Sequence, residues 1–106
     1  MRKFDSKEEY QKKIQEGVSV LLFSADWCPD CRVIEPFLPE LEEKFDSYDF
    51  YYVDRDEMID YCQELDIFGI PSFVVFQDGE EVDRFVGKQR KSRQEIESFL
   101  ENLPLK

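Results

Sequence analysis

The sequence predicts an α/β domain, with a central mixed sheet of four or five strands flanked by helices on both faces. Three observations carry that expectation. Helix-period and strand-period segments alternate at short intervals along the 106 residues. The apolar run VSVLLFSA (18–25) gives way at once to a helical pattern, and the first strands, joined by helical crossovers, are expected to run parallel. Asp78-Gly79 separates two strand-like runs, a hairpin signal that makes the last pair antiparallel. The length fits one domain over residues 1–106, and 42% hydrophobic residues with ten Phe supply its core.

The elements follow in order. Residues 2–4 are a candidate edge strand. SKEEYQKKIQEG (6–17) opens with Ser6 and Glu9 in capping-box spacing, carries Tyr10 and Ile14 on one face, and places Gly17 where a helix cap belongs. Residues 18–25 read as a buried central strand. After the cysteine pair, Val33, Ile34, Phe37, Leu38, Leu41 and Phe45 repeat at helical spacing. Pro36 and Pro39 inside that pattern lack an N–H and must kink or split the helix. DFYYVD (49–54) is a strand, and MIDYCQEL (58–65) a helix with Met58, Cys62 and Leu65 on one face. GIPSFVVF (69–76) is a turn running into a strand, and EEVDRFVG (80–87) returns antiparallel. The last helix (92–103) has Ser92 and Glu95 as a capping box and buries Ile96, Phe99, Leu100 and Leu103.

Charge and composition prune the functions. A formal net charge of −11 argues against nucleic acid or an anionic membrane as partner. The N-terminal segment MRKFDSKEEY lacks the apolar run of a signal peptide, and VLLF is too short to span a bilayer. Three cysteines do not form a secreted disulfide framework, so the expected compartment is the reducing cytoplasm. With no histidine in the chain, no Cys-His nucleophile, Ser-His-acid triad or imidazole metal site can be built.

Chemistry concentrates in SADWCPDCR (24–32). The strand-to-helix junction places Cys28 at a helix entrance and Pro29 at the first helical position, where a missing N–H costs nothing. Free backbone N–H groups and the helix dipole favour a thiolate at Cys28, and Cys31 lies one turn in on the same side, within disulfide reach. An outer attacking thiol with an inner resolving one makes a reversible dithiol switch. A tetrahedral metal site needs four ligands, and one further cysteine without histidine counts against it in a monomer. Two copies sharing their pairs around a metal or cluster stay open. A purely structural disulfide closing so small a loop would serve little purpose in a reducing cell.

ADWCPDCR after an apolar strand, GIPSFVVFQDGEEV downstream and Gly87 after the hairpin together resemble the thioredoxin family, over about residues 6–103. Pro36 matches the family's helix-kinking proline. The resemblance implies a thioredoxin fold and thiol–disulfide oxidoreductase activity without a bound cofactor or metal. It implies Cys28 as nucleophile, Cys31 as resolving thiol and Pro71 as the family's cis-proline. Ile70 would offer backbone groups to an extended substrate, with Trp27, Pro29 and Gly87 lining the same groove. The implied partners are disulfide-containing protein substrates and an electron donor such as a flavin-dependent reductase, with the protein acting as a monomer. The alternative is a thioredoxin-fold binding module whose dithiol is regulatory or idle.

Departures from the family pattern sharpen the question. Leu22 stands where thioredoxins bury an acid, and Phe50 replaces the lysine that pairs with it, so the route by which Cys31 loses its proton is open. Asp30, between the cysteines, stabilises the helix start and opposes a nearby thiolate, and it is also a candidate proton acceptor for Cys31. Cys62 reads as a small buried hydrophobe, the sharper option being a regulatory thiol.

Overall fold

The structure, a computed structural model, describes residues 1–106. Its elements in chain order are β1 (Arg2–Lys3), α1 (Lys7–Lys13), β2 (Val18–Ser24), α2 (Pro29–Ile34), a 3-10 turn (Glu35–Phe37), α3 (Leu38–Lys44), β3 (Asp49–Asp54), α4 (Ile59–Glu64), β4 (Ser72–Gln77), β5 (Glu80–Phe85) and α5 (Arg93–Glu101). They build one five-stranded sheet in the order β1-β3-β2-β4-β5. β1 and β2 each pair with β3 in parallel, while β4 runs antiparallel to β2 and to β5.

β2 is central because both of its faces are apolar. Leu21 and Phe23 enter one core with Tyr10, Tyr51, Val53, Tyr61 and Cys62, under α1 and α4. Val20 and Leu22 enter the other with Ile34, Leu41, Phe50, Phe73, Ile96 and Leu100, under α2, α3 and α5. Strand alternation thus sorts neighbouring residues into two layers of side chains. Burying each Leu or Phe removes it from water at about 1.5–3 kcal/mol.

Pro36 splits the helix after the cysteines, and the break is the 3-10 turn around it. Pro39 breaks nothing further, because it falls in the first turn of α3, where its N–H is not needed. Asp78 and Gly79 both take positive φ (50° and 90°), the backbone a two-residue hairpin of this hand requires.

Three local expectations are corrected. Gly17 does not cap α1. The helix stops at Ile14, and Gly17 (φ 72°) lies beyond it, where its N–H donates to the Asp78 carboxylate at 2.9 Å. The competing partner is thus the β4–β5 hairpin. Ser6 forms only half of a capping box, accepting from the Glu9 N–H, whereas Ser92 and Glu95 form both bonds. The strand predicted over 80–87 ends at Phe85, which releases Val86 and Gly87 into the loop beside the cysteines.

Candidate active site

Backbone geometry makes the site before any side chain does. Cys28 is the N-cap of α2, with extended φ and ψ (−83°, 112°), and its Sγ accepts the Cys31 N–H at 3.2 Å. Pro29 follows as the first helical residue, so the chain turns from the end of β2 into the helix within four residues. Cys28 and Cys31 are joined as a disulfide with their Cα atoms 5.2 Å apart. In the reduced protein the same N–H is placed to stabilise a Cys28 thiolate.

Ala25, Cys28 and Cys31 form a small buried cluster against which Ile70 packs. The Ile70–Pro71 peptide is cis. Ile70's carbonyl oxygen lies 3.9 Å from Cys28 Sγ, so the loop before β4 stands directly over the disulfide. Cys28 is less open than the sequence suggests. The residue is 4% exposed, close to the 0% of Cys31, because the neighbouring loop covers it. What separates the two is access: Cys28 lines a cleft of about 250 Å³ with Trp27, Ile70 and Phe68, and Cys31 does not.

Trp27 stands at the rim, 59% exposed, and its indole N–H donates to the Asp56 carboxylate at 2.7 Å. Arg55 holds the same carboxylate at 3.1 Å and sits 6.0 Å from the indole ring. Gly87 and Gly69 touch back to back. A Cβ on Gly69 would lie 2.8 Å from both Gly87 C and Lys88 N, so any side chain there would push the two loops apart. Ser72 ties them together, donating to the Gly69 carbonyl at 2.6 Å and accepting the Gly87 N–H at 3.3 Å.

Beneath this platform lies Lys91, 2% exposed. Its ammonium donates to the carbonyls of Pro71, Gly87 and Gln89 and lies 5.0 Å from the centre of the Phe85 ring. No carboxylate pairs with it, and burial pushes its pKa below the usual lysine value. Lys91 was not legible as a site residue, since its role depends on carbonyls contributed by two separate loops. Asp56, Ser72 and Arg90 were missed for the same reason.

Asp30 points to Arg90, whose Nε lies 3.0 Å from its carboxylate, and makes no hydrogen bond to either sulfur. Leu22 and Phe50 are both buried in the α2/α3/α5 core, with Phe73 facing Leu22 across the sheet, so that position is wholly apolar. Cys62 lies on the opposite face of the sheet from Leu22, and burial pushes its thiol up to about 11. No group of three or more Cys, Asp or Glu side chains is arranged to hold a metal ion.

The Thioredoxin family model matches residues 2–102. The chain belongs to the thioredoxin family. Thioredoxin H-type of Fagopyrum esculentum is 39% identical over 84 residues, covering 78% of this chain and 72% of that protein. Thioredoxin of Staphylococcus epidermidis is 38% identical over 84 residues, covering 78% and 81%. Mitochondrial thioredoxin 3 of Saccharomyces cerevisiae superposes with a TM-score of 0.85 at 25% identity, covering 97% of this chain and 95% of that one. With its cysteine pair intact at the helix entrance, this thioredoxin-family protein is a thiol–disulfide oxidoreductase. None of its helices is long and apolar enough to cross a membrane.

Proposed function

We propose that the protein reduces disulfides of proteins or low-molecular-weight thiols in the cytoplasm, with Cys28 as nucleophile and Cys31 as resolving thiol. The observation that carries this reading is the asymmetry of the pair: Cys28 faces the cleft and receives the Cys31 N–H, while Cys31 is fully enclosed.

The exchange balances in two steps. The Cys28 thiolate attacks one sulfur of the substrate disulfide, forming a mixed disulfide and expelling the other sulfur as a thiolate, which takes up a proton. Cys31 then loses its proton and attacks Cys28 Sγ, releasing the second substrate thiol and leaving Cys28–Cys31 oxidised. A flavin-dependent reductase or an equivalent donor returns the two electrons. Trp27, Pro29, Ile70, Pro71 and Gly87 frame the substrate, and the Ile70 backbone is close enough to pair with an extended segment. One chain supplies all of these groups, which fits action as a monomer.

With Leu22 and Phe50 apolar, the proton of Cys31 leaves through solvent, substrate thiolate or Asp30, and not through a buried acid on β2. Arg90 neutralises Asp30 in the oxidised form, which fits a tuning role better than that of a free base.

The reduction potential of the dithiol against glutathione, measured with insulin-disulfide reduction, tests the proposal. A reductant has a potential near that of thioredoxin, about −270 mV, and turns insulin over. A value near about −120 mV would make the protein an oxidant. Absence of turnover would favour the binding-module reading.

A further inference from the structure

Charge is distributed unevenly over this acidic molecule. The chain holds 14 Lys and Arg against 25 Asp and Glu. The segments that frame the disulfide (26–32, 54–56, 67–71 and 87–91) carry five of those cations and four of those carboxylates, leaving nine against 21 elsewhere. The cleft beside Cys28 goes further. Its lining includes two cations, Arg55 and Lys88, and no carboxylate. Arg55 is shared with Asp56, but the exposed Lys88 forms no ion pair, so the cleft presents an uncompensated positive charge. The same cleft is lined by Phe68, 78% exposed, and by Trp27. Aromatic surface left in water beside a reactive sulfur is placed to bury itself against a partner.

We propose that this cleft selects disulfides flanked by carboxylates. An extended segment lying along Ile70 would set its apolar side chain on Phe68 and its Asp or Glu toward Lys88, with Arg55 adding attraction. Lys88 is the principal specificity-determining residue. The proposal rests on the reductase reading above and adds the chemical class of substrate to it. It runs against the sign of the whole molecule: a net charge of −11 by itself would attract basic substrates.

Three peptides with one common internal disulfide, flanked by Glu, Ser or Lys pairs, test it. Each is mixed with the reduced full chain, and its reduction is followed through Trp27, the chain's sole tryptophan. At low ionic strength the Glu-flanked peptide should react about fivefold faster than the Lys-flanked one, a gap that closes toward about 0.5 M salt. In Lys88→Glu the Glu:Lys ratio should fall to about one or below, and Arg55→Gln should lower it less. Because the readout is a ratio within one protein sample, partial misfolding of a variant does not mimic the result. A ratio at or below one in the native chain, or a ratio kept intact in Lys88→Glu, would overturn the proposal while leaving the reductase reading standing. Reduction of none of the three peptides would overturn both.

Discussion

Cys31 and Cys62 are equally hidden, at 0% and 2% exposure, yet only one of them is built for chemistry. Cys62 sits among Tyr10, Phe23 and Tyr61, on a helix whose N-cap, Met58, makes no side-chain hydrogen bond. Burial outweighs the attraction of the Arg55 charge for a thiolate there and pushes its pKa up to about 11. Cys31 lies in the first turn of α2, bonded to a sulfur that itself receives a backbone N–H. The loop over that pair is tied down by Ser72 and Lys91. Burial makes a thiol inert unless a partner sulfur and polar scaffolding are brought to it.

The largest effect that probes this contrast is on turnover. Cys28→Ser should lower insulin reduction by at least about a thousandfold. Cys62→Ala should leave it near the native rate, and a comparable loss there would break the contrast.

Stability against pH gives the next effect. The folded Cys62 pKa of about 11 lies above its ordinary value of 9.0. The stability linked to this proton is therefore fully present below pH 9 and is lost as pH rises through 11. The full loss amounts to about 3 kcal/mol. Urea unfolding from pH 8 to 11 should show that extra decline in the native chain and not in Cys62→Ala. Parallel curves would contradict the apolar burial of Cys62.

Lys91→Met removes the donor to three carbonyls and should cost about 1–2 kcal/mol in urea unfolding, with kcat/KM for insulin falling through KM. The sign of its pH dependence differs from that of Cys62. The folded Lys91 pKa lies below 10.5, so the cost of burying its charge is present at neutral pH and is relieved as pH rises through that lowered value. The gap between native and variant stability should therefore widen with pH. A narrowing gap would show that Lys91 is not held as a buried cation.

Asp30→Asn should act least. Removing a negative charge beside the sulfurs should favour the Cys28 thiolate and make alkylation of the reduced protein slightly faster below pH 7. An unchanged rate would mean that Asp30 serves only the helix start and Arg90.

The element order and the dithiol were legible because each rests on local signals: apolar runs, a strand meeting a helix, Asp-Gly at a turn; the strand order, with β4 antiparallel beside β2, was not. Pro36 was legible as a break because its effect is on its own helix. What stayed hidden depends on segments that meet only in three dimensions. Gly17 was drawn from its helix by Asp78, 61 residues away. Arg90 reaches Asp30 across 60 residues, and Lys91 matters because Pro71 and Gly87 bring their carbonyls to it. The burial of Cys28 was hidden in the same way, since Ile70 covers it from the loop before β4.

The central claim is that Cys28 attacks and Cys31 resolves. Cys31→Ser, reduced and mixed with an insulin-type disulfide substrate, tests it most directly, with mass spectrometry of the trapped species. The predicted result is a mixed disulfide accumulating through Cys28, with Cys62 unmodified. Adducts on Cys62, or no adduct above that of the Cys28→Ser/Cys31→Ser control, would contradict it.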